Sequence, residues 1–279
     1  MRQSLRLYLL AISFVFTGFL PPSPVWGQGE TVEAQAMAAL ETATADTMAR
    51  FKRNKDTRFA FTSRIETGNE KVPLVEFSYD PALPVNARYV LIHPSEAENP
   101  KARKRILKQR AKALEAHGED GKEDKPDQGL LIEDPKKLLN NTAKFEREDD
   151  GKYVFSFQPA PGSVNFGGGH DKDKNKDPSD KKKKAKKKDK KGFSSHLKGE
   201  MYINKDAQRL TGVRFYAPKS FKPVPIAKIK SFEIIMDIAP AWAGGPMVSI
   251  KQDITASGKA MFKAFEEHSV VTSSGFEKR

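Results

Sequence analysis

The chain of 279 residues contains no cysteine. This absence excludes disulfide bonds, thiol catalysis and cysteine-ligated zinc. It also excludes a lipid anchor on an N-terminal cysteine, so we expect a soluble mature protein. Stability must come from the apolar core of the domain, without a covalent or metal cross-link.

Motifs for catalysis and cofactor binding are also missing. The five histidines have neither His-x-x-x-His nor His-Glu-x-x-His spacing, and no Gly-x-Ser-x-Gly sequence occurs. The segment from Gly118 to Lys122 lacks the spacing of a phosphate-binding loop. We therefore predict no catalytic residues, no metal site, no cofactor and no enzymatic activity.

Long apolar runs are limited to one, at the N-terminus. Leu7–Leu20 is about 14 residues long, short of the ~20 needed to span a bilayer. Arg2 and Arg6 precede it, and Val25-Trp26-Gly27 follows. This pattern predicts a signal peptide at residues 1–27, cleaved near Gly27, and one domain at 28–279. The expected location is the periplasm, with secretion as the alternative.

Positive charge is concentrated in one tract. Residues 170–191 hold twelve lysines and five aspartates, against a net charge of +13 for the chain. Together with few apolar residues, this predicts a disordered, lysine-rich insertion at about 160–195. The insertion either contacts polyanions, such as lipopolysaccharide phosphates, acidic lipid headgroups or nucleic acid without sequence specificity, or is a solvated loop without a partner. The candidate contacts are Lys181, Lys182, Lys183, Lys184, Lys186, Lys187 and Lys188.

Helical periodicity is confined to the N-terminal half. Glu30–Arg53 is predicted to be a helix, with a thin apolar stripe of Met37, Leu40, Thr44, Met48 and Phe51. Ser95–His117 is predicted to be a second, strongly basic helix. It either docks by its apolar side or rests on a membrane surface. A short helical turn is expected after Asp134-Pro135.

Period-two apolarity dominates the remainder and is strongest in the C-terminal run Leu197–Val271. Asp150-Gly151 between two alternating runs predicts a hairpin. In Ile226–Ile238 the even positions form one apolar face, and Ile229 and Ile235 fall on the other. Turns are expected at Gly244-Gly245-Pro246 and at Ser257-Gly258. About nine sequential antiparallel strands with separate helices predict the α+β class.

The order of these elements resembles the LolA/LolB-like periplasmic lipoprotein-carrier superfamily. A signal peptide leads into an amphipathic helix and Phe-rich hairpins. The segment Gly199–Asp206 then forms a turn, and Leu210 and Val213 lie on the return strand. The resemblance implies a strongly curved antiparallel sheet, an incomplete β-barrel, with helices on its concave side. It also implies a hollow that holds acyl chains, and it assigns no individual residue.

A curved sheet that is only partly covered by a thin helix leaves room for a ligand. The residues expected to line the hollow are Phe59, Phe61, Phe155, Phe157, Phe232, Ile234 and Met236. The alternative is that they form an ordinary filled core. The expected function is therefore a carrier that holds a lipid or lipoprotein acyl chain. The alternative function is an envelope structural or adaptor protein that contacts anionic surfaces through the insertion.

Overall fold

The computed structural model describes residues 31–68, 70, 72–117, 132–160, 193–224, 226–261 and 263–279, with the backbone alone for 112–117 and 224. Two of the predictions from the sequence therefore lie outside the described residues. They are the signal peptide at 1–27 and the candidate contacts Lys181–Lys188, with most of the insertion around them.

The strands of the described residues form one open antiparallel sheet of eleven strands. The spatial order is β3-β2-β1-β11-β10-β9-β7-β6-β5-β4, with β8 paired to β9. β3 and β4 are the two edges, so the sheet does not close. The strands are β1 (Phe59–Thr67), β2 (Leu74–Tyr79), β3 (Tyr89–His93), β4 (Lys144–Asp149), β5 (Lys152–Phe157), β6 (Lys198–Asn204), β7 (Arg209–Tyr216), β8 (Phe221–Val224), β9 (Ala227–Pro240), β10 (Met247–Ala260) and β11 (Lys263–Lys278).

The antiparallel, β-rich prediction is confirmed, but the described ranges alone hold eleven strands where about nine were expected. β8 is a short strand that pairs with the start of β9. The predicted hairpin at Asp150-Gly151 is present, and both residues have positive φ, 46° and 69°. Positive φ at both central residues suits the twist of a tight hairpin.

In the described residues, three α-helices accompany the sheet: α1 (Val32–Asn54), α2 (Pro100–His117) and α3 (Pro135–Leu139). Thr31 begins α1 as its N-cap, where its Oγ1 accepts a hydrogen bond from Ala34 N at 3.2 Å. α2 starts at Pro100, later than the predicted Ser95, because a residue that precedes proline is disfavoured in the helical conformation. Its Arg103 donates hydrogen bonds to the carbonyl oxygens of Leu91 and Pro94, so α2 is fixed along the edge strand β3.

The buried face of α1 differs from the predicted stripe. Met37 and Met48 are each 36% exposed, and the helix meets the sheet through small residues. Alanines permit close approach to the large side chains of the strands, whereas methionines at the contact would hold the helix away. The buried residues of α1 are Ala36, Ala39, Leu40, Ala43, Thr44 and Thr47.

The main core lies between α1, α3 and strands β5, β6, β7, β9 and β10. Phe155, Met201 and Val213 are completely buried there, and Leu40 of α1 belongs to the same cluster. The C-terminal end of α1 is tied to the β9–β10 turn, since Asn54 Nδ2 donates to the Gly244 carbonyl at 3.2 Å. The core therefore fixes α1 on one face of the sheet, which we call the helix face.

The predicted turn at Ser257-Gly258 is wrong, because both residues lie inside β10. Gly258 sits at a bulge where β9 carries one extra residue, Lys230, between the partners Ser231 and Ile229. A Cβ at Gly258 would collide with the carbonyl oxygen of Lys228, so glycine is required by close approach of the strands. The true connection to β11 comes later, at Met261.

Candidate functional site

A row of side chains crosses the helix face through nine strands. Its members are directly opposed in register, and opposed residues of paired strands point to the same face. Only one of them is polar. From β4 to β2 the row is Phe145, Phe155, Met201, Val213, Met236, Gln252, Val271, Ile65 and Val75.

Burial changes along this row. Phe155, Met201 and Val213, in the main core with α1, are 0% exposed. Met236 and the four residues that continue the row to β2 are half-buried. α1 contacts β4, β6, β7 and β10, so its cover ends near the middle of the sheet. The second half of the row presents apolar side chains that the described helices leave partly open.

An open recess of about 480 Å³ lies beside this row, where β9, β10 and β11 extend beyond the main core. Its lining is apolar except for one carboxylate. The residues are Phe193, Ile229, Phe232, Ala256, Ala260, Phe265 and Glu267. The recess lies on the helix face, because Ala256 is opposed to Phe232 of the main core.

Aromatic contacts stiffen one wall of the recess. The ring of Phe193 meets Phe221 and Phe232 edge-on, with centroid distances of 5.1 Å in both pairs. The ring of His196 stacks on that of Phe221, with a centroid distance of 4.6 Å. Edge-to-face and stacked aromatic pairs are favourable at these distances. The wall is thus held in place by its own packing.

The seven residues predicted to line one hollow fall into two clusters. Phe59 and Phe61 pack with Tyr79 and Val248 in a separate group at the end of β1 and β2. The other five belong to the main core or pack against it: Phe155, Phe157, Phe232, Ile234 and Met236. Of the seven, only Phe232 lines the recess. Six are buried, and Met236 is half-buried.

Sequence reasoning missed most residues of the recess. Strict alternation put Ile229 on the face opposite Phe232, but the extra residue Lys230 moves it to the same face. Phe265 was missed because its partner on β10 is Gly258, which was predicted to lie in a turn. If Ser257-Gly258 is treated as strand and not as a turn, the period-two alternation of β10 and β11 predicts Ala256 and Phe265 on the same face.

A second recess, of about 440 Å³, lies between the C-terminal half of α1 and the start of α3. Met48 and Phe51 line it together with several charged residues, among them Lys52, Asp134 and Lys137. These two apolar residues belonged to the predicted stripe of α1. Its charged rim makes this recess a poorer match for an apolar ligand.

The opposite face of the sheet carries a polar network. Tyr202 Oη donates to Glu200 Oε2 at 2.7 Å, and Arg214 Nη1 donates to the same oxygen at 3.3 Å. Arg214 also donates to Glu233 Oε1 at 2.6 Å, and Arg147 lies 3.7 Å from Glu200 Oε1. Burial opposes ionisation of Glu200, but these hydrogen bonds outweigh it and hold the pKa below its ordinary value.

The pKa of Tyr202 is shifted in the opposite direction. Burial, together with the hydrogen bond to Glu200, raises the pKa of its phenol to about 12. Each polar group of this network has a partner within the sheet. Its arrangement stabilises β6, β7 and β9 and provides neither a nucleophile nor an open catalytic base.

Within the described ranges, no three histidine or acidic side chains are grouped so that they could hold a metal ion. In the same residues, no helix is both long enough and apolar enough to cross a membrane. Comparisons with protein-family models, with curated proteins and with solved structures found no match.

Proposed function

We propose that the protein binds an acyl chain or another apolar ligand non-covalently on the helix face. The ligand would occupy the recess at Phe232 and continue along the half-buried part of the row toward Val271 and Ile65. The observation that carries this proposal is the open apolar recess of about 480 Å³. That volume lies within the roughly 300–1,000 Å³ that is usual for small-molecule sites.

The layout supports a carrier that resembles the LolA/LolB-like superfamily. In this proposal the open sheet is curved, and α1 lies in its concave side as a partial lid. The thin alanine face of α1 covers β6 and β7 and leaves β11, β1 and β2 for the ligand. A half-covered sheet of this kind gains stability when an apolar ligand replaces water on its open half.

The proposed location is the periplasm after removal of residues 1–27, on the basis of the N-terminal sequence pattern. The proposed activity is binding, with no reaction and no cofactor. A non-covalent carrier needs only apolar contact and an open side through which the ligand leaves.

Two measurements test binding. The chain from residue 28 onward, which contains every described element, is purified without detergent and analysed for co-purified lipid by mass spectrometry. A fluorescent fatty acid is then titrated and displaced with an unlabelled one. We expect saturable, displaceable binding. The absence of both co-purified lipid and displaceable fluorescence would refute the proposal.

One observation favours the alternative, an envelope structural or adaptor protein without a ligand. Six of the seven residues expected in a hollow are buried in packed clusters, as in an ordinary core. This alternative predicts an empty protein with full stability in lipid-free buffer. Deletion of residues 171–191 would then weaken its retention on anionic vesicles.

A further inference from the structure

The end of the sheet next to the recess exposes two large apolar side chains. Met261, which follows β10, is 70% exposed, and Ile226, which precedes β9, is 66% exposed. A hydrogen bond from Met261 N to the Ile226 carbonyl, 3.0 Å, holds the two together. We call this surface, with the lysines described next, the hairpin end.

Five exposed lysines lie within four chain positions of Ile226 or Met261. Lys228 and Lys259 stand directly opposite each other on β9 and β10, an arrangement that is unfavourable for like charges. In the part of the chain that the structure describes, none of the five takes part in an ion pair. The lysines are Lys222, Lys228, Lys230, Lys259 and Lys263.

Backbone geometry adds to the pattern. Met261 has φ +48°, in the left-handed region that a long apolar side chain seldom occupies. A turn at this position would be less strained with glycine or asparagine. The strain and the exposure both favour a role for the Met261 side chain outside the folded domain.

We propose that the hairpin end docks on an anionic lipid bilayer. Met261 and Ile226 would enter the boundary between headgroups and acyl chains, while the lysines contact lipid phosphates. An apolar tip flanked by lysines matches such an interface, because each lysine near anionic headgroups strengthens membrane binding roughly fivefold. The nearest acidic residues of β11, Glu266 and Glu267, are too few to cancel the charge.

This docking would place the recess beside the membrane, because Ala260 lines the recess and Met261 follows it. Docking of the hairpin end does not require a bound ligand. Vesicle binding measures docking and fatty-acid titration measures ligand binding, so a failure of one proposal can be distinguished from a failure of the other. Nucleic acid and acidic proteins are the competing partners for the lysines alone.

Because the chain lacks cysteine, single labels report the orientation on the membrane. Met261→Cys and, as the control at the β3 edge, Val90→Cys are each labelled with a polarity-sensitive fluorophore. Val90 is 52% exposed, so both sites start in water. The probe is vesicles of phosphatidylglycerol and phosphatidylcholine, mixed with the chain from residue 28 onward. We expect a blue shift at position 261 alone; a shift at neither site, at both, or only at 90 overturns the proposal.

Charge variants measure the electrostatic part. The pair Lys228→Gln and Lys259→Gln should lower vesicle partitioning about 25-fold, from roughly fivefold per lysine. The matched pair Lys101→Gln and Lys104→Gln, exposed on α2, should change it less than about threefold. Equal losses in the two pairs contradict docking through the hairpin end. The same 261 blue shift with duplex DNA in place of vesicles also contradicts it.

Discussion

Met247 and Val248 are neighbours on β10, and both are completely buried, yet they belong to different clusters. Met247 packs in the main core with α1, whereas Val248 packs with Phe59 and Phe61. Adjacent strand residues point to opposite faces, so β10 is covered on both sides at this point. Just beyond it, the pairing of β10 with β11 ends at Lys251 and Thr272.

This double burial leads to a prediction on stability. Met247→Ala should lower the free energy of unfolding by about 2–5 kcal/mol, because it opens a cavity in a site without solvent. Val271→Ala, in the half-buried part of the row, should cost about 1 kcal/mol or less. Urea unfolding followed by circular dichroism measures both. Equal losses would show that the open half of the row is packed as tightly as the main core.

The second prediction concerns the face of α1. Ala43→Leu should destabilise the protein by about 1–3 kcal/mol, since the helix approaches the sheet through its alanines and has no room for a larger side chain. Ala45→Leu, on the exposed face, should change the stability by less than about 0.5 kcal/mol. Thermal or urea unfolding of the pair decides it. Equal effects would indicate that the alanine face of α1 does not form the close contact with the sheet.

Filling the recess should block binding without unfolding the protein. Ala256→Trp places a large ring in the recess opposite Phe232, and we expect it to weaken fatty-acid binding at least about tenfold. The matched control is Ala264→Trp, an exposed position on β11 outside the lining. Fluorescent fatty-acid titration measures affinity, and circular dichroism verifies the fold. Unchanged affinity in Ala256→Trp would place the ligand elsewhere.

Glu200 should contribute to stability in a pH-dependent way. Its pKa is lower in the folded protein than in the unfolded chain, so its contribution is present above the ordinary value of about 4.3. That contribution is lost as the pH falls through the lower, folded value. Glu200→Gln should therefore flatten the acid side of the stability curve, measured as urea midpoints between pH 7 and pH 3.

The control for this experiment is Glu41→Gln, on the exposed side of α1. It should leave the acid side of the curve as in the parent protein. If Glu200→Gln has the same slope as the parent, the polar network of Tyr202 and Arg214 does not set the charge of this carboxyl group in solution.

Much of the architecture could be predicted from local patterns in the chain. The Asp150-Gly151 hairpin and the alternation of β9 around Ile234 and Ile238 are such patterns, and both are confirmed. Helix α1 and the helical turn at Pro135 follow from local signals in the same way. What failed was the detail at strand irregularities, such as Gly258 and Ile229, because a bulge changes the face of every residue beyond it.

Composition and local pattern decided that this protein is an antiparallel β-rich domain without cysteine chemistry, because periodicity and absent residue types need no partner to be recognised. The contacts between distant segments decided which apolar residues became core and which line the recess. Phe155 and Phe265 are equally apolar, but only Phe155 belongs to the main core that α1 completes. Burial depends on what packs above a side chain, and that is settled only when the whole sheet and its helix have assembled.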